Sequence, residues 1–481
     1  RLLLVETRAR TRDFLCHKHK LILVWSAMRH WAREMEQQGW SVDYRPQCRG
    51  FRQGLKAHIQ AFQPRRLRLM ETAEYGRADQ IASMARDLGL PVEMTPNNAF
   101  LSDKREFAEE AKDRKSLVME TFYRGMRRRT GLLMEAGRKP AGGAWNFDKK
   151  NRKTPPDDHD FPEVKRFQPD GLTRDVMELV EEEFAGHFGR SDSFFWPVTH
   201  GQARAFLDDF LEQRLDLFGP YQDAIVRGQP VLYHSLLSSL LNIGLLEPLE
   251  VCRLAEERYR KGEARIESVE GFIRQIIGWR EFIYQVYHLK MPGYIESNQL
   301  EADLPLPEFY WTGDTDMACV ADAVGNLKSW GTNHHIQRLM VTGNFALTAG
   351  IDPQQVNDWY LAAYADAYEW VVTPNVLGMA LYADAGFLAT KPYAASANYI
   401  NKMSDCCSSC RYSHRESTGD KACPFNALYW DFLARNRVAF SDNPRMNLVM
   451  ANLEKRRSKD LPQLRDKARE IRRKLAQGER L

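Results

Sequence analysis

Four cysteines are the residues best suited to hold a metal centre. Cys407, Cys410 and Cys423 form a C-x2-C-x12-C-P run, and Cys319 stands alone upstream. Reducing compartments keep thiols unpaired, so a tight group of them in a large chain that reads as non-secretory favours metal over disulfide. The C-x2-C pair sets two sulfurs on one side of a turn, and a proline after the last cysteine also occurs at ferredoxin-type cluster sites. Zinc is a full rival: His414 could close a tetrahedron with Cys407, Cys410 and Cys423, leaving Cys319 out. Spacing alone leaves both open. Cys16, Cys48, Cys252 and Cys406 read as ordinary buried thiols.

The elements that must position these groups follow from composition and periodicity. With 481 residues, 43% of them hydrophobic and 11% aromatic, the chain can bury more than one core. No run reaches the length of a membrane span, and the start, RLLLVETRAR, lacks the regions of a signal peptide, so a cytoplasmic location is expected. The net charge of +4 is small for this length; contact with nucleic acid would need a local basic face. Residues 1–135 alternate short apolar runs (Leu2 to Val5, Leu21 to Trp25, Val42 to Tyr44, Leu67 to Met70, Pro91 to Met94) with helical patterns such as Ala27 to Gln38. That predicts an α/β, Rossmann-like domain with a parallel sheet, without a GxGxxG fingerprint. The chain opens directly in its first strand, so a leading strand and its loop are expected to be missing. The basic run Tyr123 to Arg129 reads as a solvated helix face or a phosphate contact. Residues 136–170, rich in Gly, Pro, Lys and Asp, predict an interdomain linker, and 171–481 a large all-α domain. The tail from Leu453 to Leu475 reads as a solvated helix with internal ion pairs.

Three segments of the helical domain carry further chemistry. The first, His234 to Gly244 (HSLLSSLLNIG), puts serines at a helix start, where hydroxyls and backbone N–H groups suit an anion. The second, Gly271 to Phe282 (GFIRQIIGWREF), sets arginines and a glutamate beside a tryptophan, a combination suited to a charged planar ligand. The third runs from Trp311 to Phe345 and contains WTGDTDMACV and NHHIQRLMVTGNF.

Together these segments resemble the photolyase and cryptochrome family. The resemblance implies FAD, with its phosphates on His234, Ser235, Leu236, Leu237 and Ser238, and with Arg274 and Trp279 lining the flavin and lesion pocket. Arg338 and Asp366 hold the spacing of the pair that fixes the isoalloxazine edge, and Glu369 and Asn375 are implied neighbours of flavin N5. His334 and His335 look like the histidine pair of (6-4) photolyases. Leu339 stands where animal (6-4) enzymes carry a further histidine, so any proton relay must differ. Met379, Tyr393 and Tyr399 are candidates for the lesion and DNA wall; Trp311, Trp359 and Tyr360 are candidates for electron transfer to the flavin.

Ordinary photolyases have no cysteine cluster, but the iron–sulfur bacterial branch does. Cys319, Cys407, Cys410 and Cys423 match its pattern, and YADAYEWV, KPYAASANYINKMSD and CPFNALYWDFLARN resemble it closely. The resemblance implies a [4Fe-4S] cluster on those four cysteines, with His414 left out, in a structural role. It also implies 6,7-dimethyl-8-ribityllumazine as antenna, although Arg10 and Asp13 depart from the residues the branch favours there. The implied activity is light-driven repair of (6-4) photoproducts in UV-damaged DNA, by electron transfer from excited reduced FAD with His335 as proton donor. The alternative is a blue-light photoreceptor that signals without repair. A monomer with DNA as its partner is expected.

Overall fold

The computed structural model describes every residue except Arg10, Arg12, Asp13, Asp113, Lys115, Gly137, Arg138 and Asp157. The antenna positions Arg10 and Asp13 therefore lie outside the described residues. Four strands form two parallel pairs. β1 (Leu2–Thr7) runs beside β2 (Val42–Cys48) with Leu2 opposite Val42, and β3 (Leu67–Met70) beside β4 (Val92–Thr95) with Leu67 opposite Val92. Pro46 fits in β2 because that strand pairs on one side only and has no second ladder to donate to.

The apolar run Leu21 to Trp25 is not a strand, as its composition predicted, but part of the helix Lys18–Gln37. The His17 side chain caps this helix by accepting from the His19 N–H. Leu21, Ile22, Leu23 and Trp25 are all buried, and a helix turn buried on every side loses the 3.6-residue signature and reads like a strand. This helix shares a core with Val176, Phe206 and Phe272 of the helical region. The α/β part keeps only a small separate core around Leu55, Ala85 and Leu90. It is an α/β cap on a helical body.

Among its described residues, the segment 136–170 has only short turns of regular structure, Ala141–Gly143 and Asp148–Lys150. It is nevertheless tied down. Buried Arg127 donates to the Trp145 carbonyl (2.9 Å), Phe147 N–H to Glu270 (3.1 Å), and buried Asn151 to the Glu267 carbonyl (3.0 Å). From Gly171 onward no strand occurs among the described residues, and no helix is long and apolar enough to cross a membrane. Three π-helical turns, Arg274–Arg280, Gln337–Gly343 and Pro374–Ala380, interrupt these helices. Such turns widen a helix locally and often sit at functional sites.

The tail differs from its expected form. The helix Leu461–Ala476 buries Leu464, Ala468, Ile471 and Leu475, so it is docked along one face and not solvated all round. It lies on the helix Pro424–Arg435 through buried Asp431, which accepts from Arg435 (2.8 Å), Arg465 (3.3 Å) and Arg472. Burial pushes the Asp431 carboxyl up, but the arginines outweigh it and hold the group below its ordinary range.

Candidate functional site

Arg338 and Asp366 meet as a two-pronged ion pair, Nη1 to Oδ1 and Nη2 to Oδ2, each 3.0 Å. The fork is filled further by Thr332 Oγ1 (3.0 Å from Nη2) and the Asn333 carbonyl (2.8 Å from Nε), and the guanidinium lies 4.2 Å from the centre of the Tyr364 ring. All three nitrogens are engaged, so the group is held in one orientation. Burial works against the Asp366 carboxylate, yet Arg338 beside it keeps the carboxyl below its usual range. Ser238 Oγ donates to Asp366 Oδ2 (2.6 Å) and Asn242 Nδ2 to the Asp366 carbonyl (3.0 Å).

The serine-rich segment is thereby pinned to the ion pair. Its helix, Ser238–Asn242, has five residues, too short for a substantial dipole, and Ser238 is committed to Asp366. Ser235 Oγ accepts from Leu237 N–H (3.4 Å), Leu237 is buried, and Leu236 holds a left-handed backbone (φ 59°). The segment is a bent turn packed around one carboxylate.

Next to this pair the His234 and His334 rings stack in parallel with centroids 4.6 Å apart. Burial, then neighbouring positive groups, takes His234 down to about 3 and His334 well below its ordinary value, so both imidazoles are neutral. His234 Nε2, both ring nitrogens of His334, Ser239 Oγ and both amide atoms of Gln337 are buried without a hydrogen-bond partner among the described residues. Buried polar atoms in native proteins are normally satisfied, so this concentration fits a polar planar ligand such as the flavin. His335 offers its surface to open space although protein surrounds it, which is the mark of a residue lining a cleft. That enclosure, then Arg338, lowers its imidazolium to about 4.

The other expected residues divide. Arg274 is held by Asp148 (3.1 Å) and Glu270 (3.4 Å). Asp148 and Arg152 also act on Tyr393, and Arg152 with Asp223 on Tyr399; both tyrosines are half-buried, so these groups share one rim. Arg445 extends that rim through Thr390 and its effect on Tyr393. Trp279 packs edge-on to Phe282, with centroids 6.2 Å apart. Met379 is buried within the main core and presents no wall surface. Glu369 accepts from Tyr287 OH (2.5 Å), which itself accepts from Tyr75 N–H (3.0 Å), and so faces the α/β cap; Asn375 donates to the Val371 carbonyl of the preceding turn (2.8 Å). Among the described hydrogen bonds and ion pairs neither of these two reaches the Arg338 pair, although the π turns that carry Asn375 and Arg338 pack together.

Aromatic rings lead away from Arg338. Tyr364 stacks on Tyr360 (5.2 Å), Tyr360 meets Trp359 (4.8 Å), and Trp359 meets Tyr310 (4.9 Å). Tyr364 was missed in the sequence because nothing local distinguishes it from a core tyrosine. Trp311 contacts Phe188 (5.6 Å) and touches none of those rings among the described ring contacts.

The four expected cysteines line one cavity, joined by Cys406 and walled by apolar side chains such as Ile400 and Phe425. His414 is not among its lining residues; its carbonyl accepts from Asn426 (2.9 Å). No three His, Cys, Asp or Glu side chains converge tightly enough for a single metal ion among the described residues. Several thiols around one apolar cavity are a donor set that fits an iron–sulfur cluster. Burial pushes the thiols up, Cys407 to about 11 and Cys423 to about 12, which a cationic iron core would reverse by binding the thiolates.

A family model described as deoxyribodipyrimidine photo-lyase-related protein matches residues 1–196. A (6-4) photolyase from Agrobacterium fabrum is 47% identical over 450 residues, covering 92% of this chain and 89% of that protein. Among solved structures, a Synechocystis cryptochrome superposes with TM-score 0.60 at 13% identity over 98% of this chain and 92% of its own. A bacterial class III photolyase from Agrobacterium tumefaciens gives TM-score 0.52 at 17% identity over 78% and 72%. These two establish the shared fold of an α/β part followed by a helical part, and the near-complete alignment at 47% identity establishes kinship: the chain belongs to the photolyase and cryptochrome family, in its iron–sulfur bacterial branch.

Proposed function

We propose that this protein is a DNA photolyase that repairs (6-4) pyrimidine photoproducts, the activity named for its Agrobacterium fabrum relative. The observation that carries this reading is His335, which opens into a cleft beside the stacked His234 and His334 and the Arg338–Asp366 pair. FAD, bound against these residues, would supply the light-excited electron. The ion pair orients the ring edge, and the unpaired nitrogens of His234 and His334 with the Gln337 amide give hydrogen-bond partners to its polar atoms. An electron alone does not reverse a (6-4) lesion, because an oxygen must also return to its original base. In this reading His335, through Nε2 or Nδ1, gives the proton that this transfer needs.

The lesion must leave the helix to reach His335, and Tyr393 and Tyr399 offer ring faces at the rim for a flipped base. Arg152 and Arg445 on the same rim suit backbone phosphates. Trp359 and Tyr360, with Tyr364, form the route we assign to electron supply from the protein interior. The cysteine cavity would hold the [4Fe-4S] cluster, tying Cys319 to the 407–423 segment and so bracing the helical body. A ribityllumazine antenna, a single-chain state and action in the cytoplasm belong to the same reading and rest on branch membership alone. A second reading, a photoreceptor, draws on the same ring chain.

The test is repair of one synthetic oligonucleotide carrying a single (6-4) photoproduct and one carrying a cyclobutane dimer, under blue light with reductant. Restoration of the (6-4) site alone supports the proposal. No repair of either by flavin-loaded, reduced protein favours the photoreceptor.

A further inference from the structure

Five cysteines, and not four, line the cluster cavity: Cys406 stands beside Cys319, Cys407, Cys410 and Cys423. Cys406 is buried and shares the short turn Cys406–Ser409 with Cys407. Both ends of this turn are clamped, since Arg227 N–H donates to Asp405 Oδ1 (2.9 Å) and Arg227 Nη1 to Ser409 Oγ (2.6 Å).

We infer that Cys406 is a reserve ligand that takes over the cluster iron when the bond to Cys407 is broken. The exchange balances without redox chemistry. The iron–sulfur bond to Cys407 breaks, one to Cys406 forms, and the proton leaving Cys406 Sγ passes to Cys407 Sγ; iron and sulfide keep their oxidation states. Clamping the turn at both ends keeps the two adjacent sulfurs at the cavity, so the switch asks for side-chain rotation and little backbone movement. This inference rests on the iron–sulfur reading of the site.

The test uses the full chain with Cys406→Ala, Cys407→Ala and the double variant, reading iron and acid-labile sulfide per protein and the visible absorption of the cluster. Each single variant is expected to keep more than about half of the wild-type iron and the double variant less than about a tenth, since loss of a ligand with no substitute costs affinity steeply. Cys407→Ala that folds and is as poor in iron as the double variant overturns the inference. If Cys407→Ala does not fold, decay of the cluster in air decides. Cys406→Ala is expected to lose its absorption several-fold faster than wild type, and equal rates overturn the inference. Wild type without iron and sulfide would instead remove the cluster reading itself.

Discussion

His335 is pulled two ways. To donate a proton it must carry one, yet its enclosure and Arg338 lower it to about 4 in the protein alone. DNA phosphates brought to the rim add the negative charge that raises it. The rate of repair in the lesion complex should therefore fall as pH rises, with an apparent pKa above 4, measured by single-turnover repair between about pH 5.5 and 9. A rate that rises with pH would assign His335 a different role. Arg338 makes the second residue-scale prediction. Because each of its three nitrogens is held, Arg338→Lys should lose flavin on dilution at least about tenfold faster than wild type, as a point charge does not replace a planar two-pronged contact. The pairing of Arg338 with Asp366 was legible in the sequence because the two sit inside specific motifs. Thr332, Asn333, Asn242 and Tyr364 were not, since each acts through a tertiary contact that no local pattern records. Glu369 and Asn375, singled out by the motif, make protein contacts with Tyr287 and the Val371 carbonyl.

Among the elements, β1 to β4 were legible as short apolar runs set between helical patterns. The run Leu21 to Trp25 was misread where burial on all sides erased periodicity, and the tail helix was misread because its charges masked a narrow apolar stripe of Leu464, Ala468, Ile471 and Leu475. The docking of that helix is testable. Asp431→Asn leaves Arg435, Arg465 and Arg472 around a neutral amide and should cost roughly 3 kcal/mol of stability in denaturant titrations. A change within about 0.5 kcal/mol would mean the arginines find solvent instead.

For the whole molecule, the seam between cap and helical body is held in part by buried neutral histidines. His19 sits by Trp196 and Ser193, and His288 meets the Ala73 carbonyl (3.1 Å); burial above all takes each to about 4. The unfolded chain takes up these protons near 6.5, before the folded one does, so their stabilisation is complete above about pH 6.5 and drains as pH falls toward 4. Denaturant midpoints should drop between about pH 7 and 5, by on the order of 2 kcal/mol per histidine, and His288→Gln should flatten part of that slope. The central claim concerns the acid in the cleft, and its most direct test compares wild type with His335→Ala on a single (6-4) photoproduct under blue light, with flavin content and lesion binding measured alongside. The account predicts that flavin and binding persist while repair falls by about a hundredfold or more; repair within a few fold of wild type, at equal flavin content, would contradict it.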